Sequence, residues 1–74
     1  MADNTARART EIRSMRRAVA DHVAKWRRYT EPHDKEFAAK TVSRVQADIA
    51  RLKQGHPSLR TDSSWEDTWT PRSG

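Results

Sequence analysis

The sequence contains no cysteine, and its 74 residues include only two glycines, three prolines, three tryptophans, one tyrosine and one phenylalanine. Without cysteine there is no disulfide framework and no thiolate metal site. With so little glycine and proline, the chain has few places to turn. Residues of hydrophobic type make up 34% of the chain, well under the roughly 45–50% of ordinary globular domains. No window approaches the 18 or so consecutive apolar residues that span a bilayer. Met1 to Thr5 lacks the apolar run of a signal peptide, so a cytoplasmic protein with no membrane contact is expected. Phosphate-binding loops, dinucleotide-binding glycine motifs, nucleophile elbows and HExxH zinc motifs are all missing. So short a chain also lacks the material for a sheltered pocket. The expectation is therefore no enzyme, no small-molecule substrate, no cofactor and no metal. His33, Asp34 and Glu36 are close in sequence, but a solvated turn is their simpler role.

What the chain does have is helical periodicity. Thr5, Ala8, Ile12, Met15, Val19, His22, Trp26 and Tyr29 alternate spacings of three and four, a heptad seam. Asp3, Asn4 or Thr5 can cap its start. This predicts a first helix over about 5–29. Pro32 suits the first turn of the next helix, where its missing N–H has no partner to lose. Ala38, Val42, Val45, Ile49 and Leu52 repeat the seam and predict a second helix over about 32–54. Phe37 and Thr41 stand beside that seam. Gly55 occupies the place of a left-handed residue closing the helix, and Pro57 follows where no helix can continue. A connection this short makes the two helices antiparallel. The fold class is thus all-α: a coiled-coil-like helical hairpin over 1–55, followed by a linker and tail over 56–74.

Charge is unevenly spread. Residues 1–30 hold eight basic and three acidic groups, residues 31–60 six and four, and the rest one and three. The formal net charge of +5 is therefore an average over a basic hairpin and an acidic tail. On a helical wheel with Ile12 at zero, Arg16, Arg9, Arg27, Arg13, Arg17 and Arg28 fall between about 40° and 160°. No acidic residue shares that arc, which runs roughly 28 Å along the helix. Solvated faces usually mix signs and form i,i+4 pairs, and this one does not. Two partners suit it. One is nucleic-acid phosphate, which arginine grips through its planar donor fork. The other is an acidic protein surface, including the chain's own tail or a neighbour's.

The tail, Trp65-Glu66-Asp67-Thr68-Trp69, is too polar to fold alone. Ser63 and Glu66 have the spacing of a capping box, and one helical turn over 64–69 sets Trp65 and Trp69 on one face. Tryptophan and arginine are enriched at binding hot spots. Trp65, Glu66, Asp67 and Trp69 therefore form a candidate anchor, either in a partner's groove or on the hairpin as a third layer. A core this small also argues for a staple, and self-association into a homo-oligomer is the expected one.

The segment Val45-Gln46-Ala47-Asp48-Ile49-Ala50-Arg51-Leu52-Lys53 resembles the second helix of a small ribosomal helical-hairpin protein. Over nine residues the resemblance implies a hairpin and no function. Arginine outnumbers lysine eleven to four and alanine occurs ten times, as in short helical phage proteins from GC-rich hosts. The leading functional expectation is a non-catalytic interaction module, an adaptor, assembly component or small regulator. It would work through the tryptophan tail and the arginine face. The alternative is non-specific binding of nucleic-acid phosphates by the same face.

Overall fold

A computed structural model describes residues 5–71 of the chain. Helix α1 spans Thr5–Arg28 and helix α2 spans Pro32–Gly55, with 3₁₀ turns at Pro57–Leu59 and Trp65–Asp67. The hairpin predicted from the two seams is the observed fold. Residues 3 and 4, offered as caps for α1, lie outside the described region, as does Arg72 of the tail.

Burial follows the seams closely. Ala8, Ile12, Val19 and Val23 of α1 meet Ala38, Val42 and Ile49 of α2 in the interior, and Met15, Trp26, Val45 and Leu52 pack against the buried cluster. In an antiparallel hairpin turning between Thr30 and Glu31, Ile12 and Ile49 stand at equal distances from the turn. So do Val19 and Val42. Val23 is a heptad-flanking residue that joins the core, whereas Tyr29, at the far end of the seam, is 37% exposed. Tyr29 lies one residue past the end of α1.

The turn is held by a lysine that the periodicity did not single out. Lys35 donates from Nζ to the Trp26 carbonyl at 2.6 Å, and the same ammonium sits 4.0 Å from the centre of the Trp26 ring. The carbonyls in the last turn of a helix have no partner within it, and the partial negative charge there attracts cations. One side chain thus caps α1, complements its dipole and makes a cation–π contact.

At the other end, Gly55 corrects the expectation of a left-handed helix terminus. No glycine among the described residues has positive φ. Gly55 is the last helical residue, and the next one, His56, closes the helix through its N–H on the Lys53 carbonyl at 3.1 Å. Pro57 then starts the 3₁₀ turn directly. The segment expected to be a polar linker is built into the core: Leu59 is fully buried among the helix residues.

From Leu59 the chain turns back toward the hairpin's closed end, and both 3₁₀ turns touch both helices. The result is a rod of 50 × 17 × 14 Å, with the tail as a third layer along the groove between α1 and α2. No helix in the described region is long and apolar enough to cross a membrane.

Two substitutions separate this architecture from a plain hairpin with a loose linker. Leu59→Ala should lower unfolding free energy by about 2–5 kcal/mol, as for other fully buried leucines; a loss below about 0.5 kcal/mol in urea denaturation would contradict its core role. Gly55→Ala should raise stability by about 0.5–1 kcal/mol, because an added Cβ meets nothing within 4 Å. A left-handed Gly55 would give a loss instead.

Candidate interaction surface

The tail is held by one carboxylate. Asp67 accepts from Arg16 twice, Nε to Oδ1 at 2.9 Å and a terminal guanidinium nitrogen to Oδ2 at 2.7 Å. This is the bidentate fork that arginine alone can offer. Lys53 adds an ammonium at 2.9 Å, and the Ser64 backbone N–H donates at 3.1 Å. Side chains of Arg16, Asp67 and Lys53 are 10–15% exposed, so water screens these pairs far less than a surface ion pair. A second acid joins from the same tail. Arg16 donates to the Asp62 carbonyl at 3.1 Å and reaches its carboxylate at 3.4 Å.

These contacts set the protonation state. Burial pushes the Asp67 carboxyl upward, but hydrogen bonds from Arg16, Lys53 and the Ser64 N–H, together with the Arg16 charge, outweigh it and bring the carboxyl down to about 2. The hydrogen bond to Asp67 raises Arg16 further above its already high value, against a smaller opposing cost of burial.

The local fold that delivers Asp67 is a turn capped by serine, one residue later than Ser63 and Glu66 suggested. Ser64 is the N-cap of Trp65–Asp67, its N–H goes to Asp67, and its hydroxyl donates to the Glu66 carboxylate. Gln46 of α2 secures the backbone on either side, donating from Nε2 to the carbonyls of Glu66 at 3.0 Å and Trp69 at 2.8 Å. Periodicity alone assigns no role to Gln46 or Lys53. They stand a heptad apart on α2, flanking the seam on one side, and that spacing is their only mark in the sequence. Arg16 has a comparable mark: it lies at the edge of its arc nearest the apolar sector.

The two tail tryptophans are separated by this geometry. Trp69 is 6% exposed, and its ring meets Trp26 edge to face at 5.4 Å. Its indole Nε1–H is buried with no acceptor among the described residues. Trp65 is 51% exposed and does not share the buried environment of Trp69. Of the tail residues proposed as partner anchors, Asp67 and Trp69 are thus engaged within the chain. Glu66 binds Ser64, and Trp65 is the one large apolar group the tail leaves open.

The arginine arc divides in the same way. Arg16 is turned onto the tail. Arg9, Arg13, Arg17, Arg27 and Arg28 are exposed, and none forms an ion pair among the described residues. Arg27 and Arg28 also stand in the last turn of α1, where a cation complements the dipole. The remaining surface pairs, Lys25–Asp21, Lys40–Glu36 and Arg51–Asp48, are exposed i,i+4 or i,i+3 contacts worth a few tenths of a kcal/mol. The seam histidine, His22, hydrogen-bonds through Nδ1 to the Ala18 carbonyl at 2.8 Å, which places a proton on that nitrogen. No three histidine or acidic side chains group as metal ligands among the described residues; His33, Asp34 and Glu36 are solvated at the start of α2.

Asp67 makes a definite pH prediction. Its folded carboxyl is lowered from 3.8 to about 2, so its stabilisation is complete above the ordinary carboxylate range and lost as pH falls through about 2. The linkage is worth about 2 kcal/mol. Asp67→Asn should cost about that much or more near pH 7, since it strips two part-buried cations of their partner. The gap between wild type and variant should close as pH approaches 2. Urea denaturation followed by tryptophan fluorescence at several pH values checks this; a pH-independent gap would show that the Asp67 charge does not hold the tail.

Comparison with known proteins finds no matching protein family for this chain, and no significantly similar curated protein or solved structure.

Proposed function

We propose that this chain is a non-catalytic interaction module, and that its working surface is the arginine face of α1 rather than the tryptophan tail as a whole. The observation that carries the reading is the contrast in charge pairing. The chain spends two tail acids, Asp62 and Asp67, on Arg16 and Lys53 and leaves Arg9, Arg13, Arg17, Arg27 and Arg28 exposed and without carboxylates among the described residues. Guanidinium groups set i,i+4 along one helix repel one another, and an acidic partner relieves that repulsion. The tail packs on both helices as a third layer and contributes Trp65 as an apolar contact. Adaptor, assembly and regulatory roles all use such a surface. An acidic protein is the leading partner, and Phe37, 71% exposed, offers a second contact for another protein or a second copy.

A second reading, non-specific binding to nucleic-acid phosphates, is supported by the length of the same face, roughly 28 Å from Arg9 to Arg28 at helical rise. No base-reading element accompanies it. Such contacts would position the protein without reading sequence.

Titration of the full chain with labelled polyglutamate and with a labelled DNA duplex, from 50 to 200 mM salt, tests both. The substitutions belong at Arg13, Arg17 and Arg27, because Arg16 is structural. Saturable binding to polyglutamate that the triple variant loses at least tenfold supports the protein-partner reading. Duplex binding whose salt slope falls by about one for each arginine removed selects the second. Binding to neither at 50 mM salt overturns the proposal. Light scattering on the same protein reports whether it self-associates.

A further inference from the structure

One end of the arginine face is shaped differently from the rest. Where the first 3₁₀ turn passes α1, an open groove of about 460 Å³ is lined by Arg9, Arg13, Arg16, Ser58, Thr61 and Asp62. We infer that this groove is a binding site for a small phosphate monoester. The inference rests on reading the α1 face as an anion-binding surface, and it narrows one part of that face to a defined ligand chemistry.

The donors come from two directions. Arg9 and Arg13 are four residues apart on one helix face, about 6 Å along the axis, and both are exposed without ion pairs. Ser58 and Thr61 come from the first 3₁₀ turn and the residues just after it. Their hydroxyls make no hydrogen bond to any described residue, so each is free to donate to an oxyanion. Arg16 also lines the groove. Its Nε and one terminal nitrogen are committed to Asp67 and the Asp62 carbonyl, which fixes the guanidinium in place. Its other terminal nitrogen has only the 3.4 Å contact with the Asp62 carboxylate and retains donor capacity. A pre-positioned guanidinium loses little freedom when a ligand arrives.

Charge decides the class of ester. Arg16 pairs with both Asp62 and Asp67, and Lys53 pairs with Asp67, so these two cations and two carboxylates balance one another. The charges of Arg9 and Arg13 are left over, and together they match the dianion of a phosphate monoester near neutral pH. A phosphodiester brings one charge and leaves one of these two guanidinium charges unmatched. The groove volume falls in the range of small-molecule sites and exceeds what a phosphate group fills, so the organic part of the ester has room.

The test is a titration of the isotope-labelled full chain, followed by amide and guanidinium NMR signals in chloride buffer. The probes are phenyl phosphate and dimethyl phosphate. The expected result is saturable shifts at Arg9, Arg13, Ser58 and Thr61, with phenyl phosphate bound at least fivefold more tightly. Arg9→Gln with Arg13→Gln should weaken phenyl phosphate at least tenfold, and Ser58→Ala with Thr61→Val about threefold or more. Lys40→Gln, on the exposed surface of α2 and outside both the groove and the arginine face, should leave it unchanged. Equal affinity for the two probes overturns the monoester assignment. Shifts spread over all the arginines without saturation, or undiminished binding by the Arg9 and Arg13 variant, overturn the site. Such a failure is distinct from failure of the wider face, because polyglutamate or duplex binding through Arg17, Arg27 and Arg28 can persist without the groove.

Discussion

The bidentate contact between Arg16 and Asp67 is the constraint on which the rest of this small structure depends. It joins residues 51 positions apart and turns an acidic tail into part of the fold. Neither group would be at ease there alone, since an unpaired charge at the edge of an apolar core keeps its full cost of lost hydration. Lys53 and the Ser64 N–H complete the acceptor capacity of Asp67. The pairing fixes where the tail lies, and that position places Trp69 against Trp26 and Leu59 between the helices.

This arrangement answers the problem posed by size. Two helices alone form a single layer of contact, and a short chain buries too small a share of its surface to be secure. Disulfide, metal and association are the usual remedies. Here the chain supplies a third layer itself, with Leu59 and Trp69 as its apolar anchors and Gln46 tying down the intervening backbone. Self-association is correspondingly less needed as a staple. The unsatisfied Trp69 indole N–H is the visible cost of using so large an aromatic as a plug.

The same contacts partition the charge of the molecule. Tail acids facing α1 and α2 are consumed by Arg16 and Lys53, and the short-range surface acids pair within their own helices. Among the groups left exposed is a row of arginines on α1, with a groove lined by Arg9, Arg13 and Arg16 at one end. The proposed working surface is thus a consequence of folding as much as of composition: the tail selects which guanidinium becomes structural and which stay exposed.

The helical hairpin was determined by the sequence itself, because the three-and-four spacing from Ala8 to Trp26 and from Ala38 to Leu52 dictates one buried face per helix, and Pro32 allows only a short connection. The basic face was equally legible, since a helical period places those arginines together whatever else the chain does. The path of the tail was not. Ser63 and Ser64 offer almost equivalent caps, and Leu59 sits in a stretch polar enough to read as linker. Arg16 differs from its neighbours only by standing nearest the seam. These choices depend on contacts between residues far apart in the chain, where desolvation makes a paired carboxylate favourable and an unpaired one costly. No local pattern encodes that balance. Only the packed groove between the two helices decided that Asp67 and Trp69 would turn inward while Trp65 and the outer arginines face solvent.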